Sequence, residues 1–200
     1  YTNTESSAAS DVYKRQVVTT VDHLVVGGDA IQALSAAERG GGCSWLLSEA
    51  QLQVLESAVS RDQAWRLGRE RIISVHGASV PRTSGQEIRY VADYDVRTED
   101  VSVPVRRVET LHSGSSVAVR AAPGYPGSPV YVEVAYERSV LSAMQPFATP
   151  HGPIDLPVTD VGRVATGMRI PDGRTAVVSA TRVGDAVHVL LVTPRRVAHE

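Results

Sequence analysis

From Arg71 onward, apolar residues recur at every second position, whereas just upstream they recur at helical spacing. Ile88, Tyr90, Ala92 and Tyr94 alternate with Glu87, Arg89 and Asp93. Val130, Val132, Val134 and Tyr136 alternate with Tyr131, Glu133 and Ala135, and Val164, Thr166, Met168 and Ile170 with Arg169 and small residues. A period of two sends successive side chains to opposite faces, so these runs predict strands with one buried and one wetter face. Val187–Val192 is apolar throughout, which predicts a strand covered on both faces. Breaks at Pro81–Gly85, His112–Ser116, Pro123–Pro129, Pro146–Pro157 and Pro171–Gly173 divide this part into about eight strands.

Upstream, Val17–Val26 is rich in β-branched residues and predicts a first strand, closed by Gly27-Gly28. Asp29–Arg39 has helical composition. Ser48 predicts a helix start: its hydroxyl can cap the first turn while Gln51 reaches back. Leu47 and Leu52 occupy the positions of a hydrophobic staple, and Leu52, Leu55 and Val59 form an apolar stripe that ends near Asp62 or Leu67. Trp65 is expected to pack on this helix. The fold expected is α+β and mostly β: antiparallel sheets of about eight or nine strands, with one or two short helices near the N-terminus.

Two hairpins are expected. One turns at Leu111–Ser115, with Gly114 taking positive φ. The other joins Val164–Ile170 to Thr175–Arg182 through Pro171-Asp172-Gly173-Arg174. There proline presets φ, aspartate bonds the backbone ahead, and glycine accepts the left-handed conformation.

Composition narrows the function classes. A net charge of −2 gives no reason to expect nucleic acid. The single Cys43 excludes an internal disulfide framework. No apolar run approaches the ~18 residues of a spanning helix. The only lysine is Lys14 and the only asparagine Asn3. The segment Ser6–Gln16 reads like a translated sequencing adaptor on a GC-rich coding sequence. Residues 1–16 are therefore expected to be a foreign or disordered tail, with the true start and any export signal missing, and 17–200 a single β-rich domain.

Chemistry is sparse. The six histidines, at 23, 76, 112, 151, 188 and 199, show no metal-ligand spacing with each other or with Cys43. His188 is expected on a solvent face. Gly27-Gly28-Asp29 lacks the glycine spacing of a nucleotide loop. Asp93, Asp95, Glu99 and Asp100 read as a solvated acidic loop without ordered calcium-ligand spacing. An enzyme would have Cys43 or His76 as its only plausible centre. No enzyme, cofactor, metal or nucleic acid is expected.

Ordered motifs supply a more specific idea. Ile72-Ile73-Ser74-Val75 runs through Val80-Pro81 to Ser84-Gly85-Gln86-Glu87. Gly114 opens a valine-alternating strand to Val119, Pro171-Asp172-Gly173-Arg174-Thr175 follows, and Leu191-Val192-Thr193-Pro194-Arg195 closes the series. Their order resembles the secretin domain of type II and type III secretion systems. The resemblance implies structural motif roles for Pro81, Gly85, Gln86, Gly114, Pro171, Asp172, Gly173, Thr175, Thr193 and Pro194. It also implies a short, gate-lacking form, since only Arg182–Asp185 stands where the family carries a gate segment. A non-enzymatic part in protein export would follow, in the periplasm or outer membrane, with protein partners or self-association into a ring. The alternative is a soluble β-rich binding module with Pro123–Pro129 and Pro146–Pro157 as its recognition loops.

Overall fold

The computed structural model describes residues 16–27, 44–75, 77–97, 103–125, 127–183 and 185–197. The elements are β1 (Gln16–Val26), β2 (Trp45–Leu46), α1 (Glu49–Ser60), β3 (Ala64–Val75), β4 (Ser79–Arg97), β5 (Val103–Ala122), β6 (Val130–Thr149), β7 (Gly152–Ile170), β8 (Ala176–Val183) and β9 (Ala186–Arg196). They form a five-stranded sheet, ordered β2-β8-β9-β1-β3, and a four-stranded sheet, ordered β4-β5-β6-β7. The fold class is the one expected, with nine strands and one helix among the described residues. Of the expected tail, Gln16 begins β1 and pairs with Val75, while residues 1–15 and the segment 29–39 lie outside the described residues.

The strands after Arg71 are fewer and longer than the breaks suggested. Pro81–Gly85 lies inside β4 and His112–Ser116 inside β5. Only Pro150-His151 of the Pro146–Pro157 segment turns, between β6 and β7. Proline in β4 and β7 falls on edge strands, where every second N–H faces away from the neighbouring strand and has no ladder bond to lose. Strand pairing likewise begins before Arg71: β3 starts at Ala64, so Trp65 is a strand residue, 56% exposed, rather than packed on the helix. Asp93 and Asp95 also belong to a strand, β4.

The chain divides into two compact units. The first holds the five-stranded sheet, α1, and the roots of β5, β6 and β7. Ser48 caps α1 as a capping box: Gln51 N–H donates to Ser48 Oγ at 3.2 Å, and Ser48 N–H to Gln51 Oε1 at 2.9 Å. Leu47, Leu55 and Ala58 are buried against Leu24, Val26, Val177, Val187, Val189 and Leu191, with Leu52 and Val59 partly buried beside them. In register, Leu24 and Val26 face Val189 and Val187, so this is one face of the sheet. Leu190 and Val192 are buried on the other face, as the apolar run Val187–Val192 predicted. On that second face Ser74 Oγ donates to Val119 O at 3.5 Å, and the β5 and β6 roots bury Val119, Ala121, Val130, Val132 and Val134.

His188 departs from its expected solvent face. Its Nδ1 lies 3.1 Å from Nε2 of the buried His23, on the inner side of β1 and β9.

The second unit comprises 81–117 and 135–164, the distal parts of the four long strands. Among its described residues only Val117 is buried. This part of the sheet therefore has no enclosed core.

Candidate assembly site

In the first unit, two of the sequence motifs meet end to end. The turn at 171–174 closes with Arg174 N–H donating to Pro171 O at 3.0 Å, and Gly173 has φ 73°. It does not make a hairpin, because β7 and β8 belong to different sheets. Instead it crosses between sheets and caps the exposed flank of β9 beyond the end of β8. Gly173 N–H donates to Pro194 O at 2.8 Å, and Arg196 N–H donates to Asp172 Oδ1 at 2.8 Å. Asp172 thus serves another strand, not the backbone just ahead of it. Pro194 is accommodated in an interior strand because β8 pairs with β9 only as far as Val192. Its own carbonyl, on the vacated side, takes the turn's N–H instead of a ladder partner.

The joint reaches further. Thr175 and Thr193 share a hydroxyl hydrogen bond of 2.7 Å, and Thr175 is buried. Leu47 N–H donates to Thr175 O at 2.9 Å, and Arg174 Nη2 donates to Leu47 O at 2.9 Å, tying the helix entry to the turn. Arg196 then clamps the β5–β6 loop: Nη1 donates to Tyr125 O at 3.0 Å and Nη2 to Ser128 O. Pro171, Asp172, Gly173, Thr175, Thr193 and Pro194 are therefore one cluster. Arg196, its hub, carries no spacing signal that would have marked it in sequence. Asp172→Ala leaves the Arg196 amide without its acceptor and is expected to cost about 1 kcal/mol. Asp172→Asn keeps an acceptor and should recover most of that. Denaturant titration followed by tryptophan fluorescence checks both, since Trp45 and Trp65 lie in this unit; an unchanged midpoint for the alanine variant contradicts the capping role.

In the second unit, Gly85 and Gly114 meet across β4 and β5. A Cβ on Gly114 would stand 2.1 Å from Ser84 O and 2.6 Å from Gly85 Cα. One on Gly85, where φ is 150°, would stand 2.4 Å from Ser113 O. Gly114 is therefore not a turn residue with positive φ, but half of a close backbone approach that admits no side chain. Pro81 and Gln86 are exposed on β4 and join neither cluster.

The distal edges of the four-stranded sheet come together within this unit. Val91 N–H donates to Asp155 Oδ2 at 3.2 Å, and Tyr94 Oη donates to Pro153 O at 3.3 Å. Gly152, with φ 137°, lets the Tyr94 phenol lie against it, since a Cβ there would be 2.5 Å from Oη.

Tyr90, Arg107 and Glu109 pair at the surface of the second unit. Arg107 and the Tyr90 hydroxyl hold the Glu109 carboxyl below the usual carboxylate range, while desolvation and the bond to Glu109 push the Tyr90 phenol up. No group of three or more His, Cys, Asp or Glu among the described residues could hold a metal ion. Cys43 and His76 lie outside the described residues.

No family model matches the chain, and no curated protein matches it. Its fold is shared with solved structures. The secretin InvG of the Salmonella SPI-1 type III secretion injectisome superposes with TM-score 0.54 at 11% identity, over 96% of this chain and 68% of that one. InvG in the injectisome basal body with PrgH and PrgK gives TM-score 0.54 at 11% identity, over 96% and 48%. GspD, the type II secretion system secretin of E. coli K12, gives TM-score 0.48 at 13% identity, over 96% and 52%. The chain thus spans about half of the GspD chain. At these identities the likeness is one of fold: the chain is secretin-like in architecture.

Proposed function

We propose that residues 17–200 form one secretin-type domain of a bacterial envelope protein, acting without catalysis in type II- or type III-like protein export across the outer membrane. In this reading, copies associate into a ring by pairing β4 of one with β7 of the next. The observation that supports it is the four-stranded sheet: strands of 19 or 20 residues in full length, β4 and β7 as edges without a neighbouring strand in the ladder, and distal parts with no enclosed core. A single-layer sheet gains independent stability only by packing a face or closing its edges, and a closed ring does the second. Strands that long exceed the roughly 9–11 residues needed to cross a bilayer core. No described helix is long and apolar enough to do so. The secretin-like fold supports the same reading. Particle size in mild detergent and in plain buffer tests it: multi-copy rings are expected in detergent, and a stable monomer in both conditions contradicts it.

A second reading is a self-contained interaction module. The bonds from Val91 to Asp155 and from Tyr94 to Pro153 favour it, because they bridge the two sheet edges inside one copy. Of its two expected recognition loops, 123–129 is clamped by Arg196 and 146–157 is mostly strand. The double variant Asp155→Ala/Tyr94→Phe separates the readings. If the edges pair between copies, unlatching them speeds assembly measured by light scattering. A module instead loses stability and keeps its size.

A further inference from the structure

Helix α1 covers only part of its face of the five-stranded sheet. Beyond it lies a cavity of about 540 Å³ in the first unit. Leu52 and Val59 of α1 form its apolar wall, and Val18 and Thr20 of β1 contribute to its floor. Arg66, Arg69, Arg71 and Arg195 line it, against the carboxylates of Asp22 and Glu56. The excess of arginine is local, since the whole chain carries a net charge of −2.

The four arginines are not equivalent. Asp22, its side chain 10% exposed, takes Arg66 Nε at 3.0 Å and Arg69 Nε at 2.6 Å, so those two have a partner inside the cavity. The side chains of Arg71 and Arg195 have no ion pair or hydrogen bond among the described residues. Register fixes where they stand. Thr20 pairs with Arg71 on β3, and Val18, two residues earlier on the same face, pairs with Arg195 on β9. Two strand spacings of about 4.8 Å and an offset of two residues put their Cα atoms about 12 Å apart. Strand side chains stand roughly perpendicular to their sheet, and in that orientation the two guanidinium groups are too far apart for one phosphate to bridge. Two carboxylates at positions i and i+4 of an extended peptide, about 13 Å apart, can satisfy both. The strip between the arginines is Val18 and Thr20, which suits an apolar residue at i+2.

We propose that this cavity binds an acidic, extended segment of a partner protein, with carboxylates four residues apart on Arg71 and Arg195 and an apolar side chain between them over Val18. The inference does not depend on ring formation. The test is fluorescence anisotropy of the full chain with a labelled peptide Ser-Glu-Ser-Leu-Ser-Glu-Ser. Arg71→Ala/Arg195→Ala should weaken binding at least about tenfold, and Arg163→Ala, in the other unit, should leave it unchanged. Moving the two glutamates next to each other should weaken it several-fold, and raising salt should weaken it because these side chains are exposed. Any of four results overturns the proposal: no binding at millimolar peptide; an unchanged affinity in the double variant; displacement of the peptide by inorganic phosphate or phosphatidylglycerol vesicles at lower concentration than by unlabelled peptide; or a double variant that alters self-association and not peptide affinity, which would make a second copy the occupant.

Discussion

Gly114→Ala is expected to be more damaging than any substitution to alanine in the 171–174 turn. The added methyl would have to occupy space 2.1 Å from Ser84 O and 2.6 Å from Gly85 Cα. Both neighbours are backbone, which no rotamer change can move aside, so β4 and β5 must separate locally. Overpacking of this kind costs about 3 kcal/mol at the upper end of the usual range. Gly173 has the opposite problem: φ is 73° but no atom lies within 4 Å of an added Cβ. There the cost is backbone strain alone, about 1–2 kcal/mol for alanine. Thermal melts by far-UV circular dichroism should rank Gly114→Ala well below Gly173→Ala. Tryptophan fluorescence, which reports the first unit, should respond less to Gly114→Ala than circular dichroism does. An equal or reversed ranking means the two strands do not approach as described.

Leu55→Ala should have the largest effect on the first unit, at roughly 2–5 kcal/mol. Leu55 is 1% exposed and sits where α1 meets Leu24, Val189 and Leu191. Its neighbours belong to the sheet, which cannot collapse to fill the void as a loop could. Leu52→Ala, partly buried on the same stripe, should cost distinctly less. Equilibrium denaturation followed by tryptophan fluorescence reads both. A Leu55→Ala cost below that of Leu52→Ala would show that α1 does not dock through this stripe.

What the sequence made legible follows from which interactions are local. The capping box at Ser48 and Gln51, the stripe through Leu55 and the Pro171–Arg174 turn are each written within a few residues, and each forms. The period of two gave the strand character of β4 to β7 but not their lengths. Glycine, proline and serine normally end strands, yet an edge position tolerates Pro81, and a cross-strand glycine partner explains Gly85 and Gly114 without any turn. Those reasons lie in a neighbouring strand, so local signals pointed to breaks. The joint was half visible: its motifs were found separately, but nothing in their spacing says that Asp172 meets Arg196, or that Thr175 meets Thr193. The arginine-lined cavity was invisible for the same cause, since Arg71 and Arg195 are 124 positions apart in the numbering and reach one sheet face only on either side of β1.

Pairing between sheet edges of different copies is the claim on which the functional reading rests, and disulfide trapping measures it most directly. Thr83 on β4 and Val161 on β7 lie at similar heights above the boundary between the units, which falls at Val80 and Ala165. In a Cys43→Ala background, a cysteine scan at these and adjacent positions should, on mild oxidation in detergent, give a ladder of covalent multimers for the pairs in register. Each single-cysteine control should stop at dimer. Oxidation that yields only monomer at every pair, with the protein running as one copy in detergent and in buffer alike, would contradict the account.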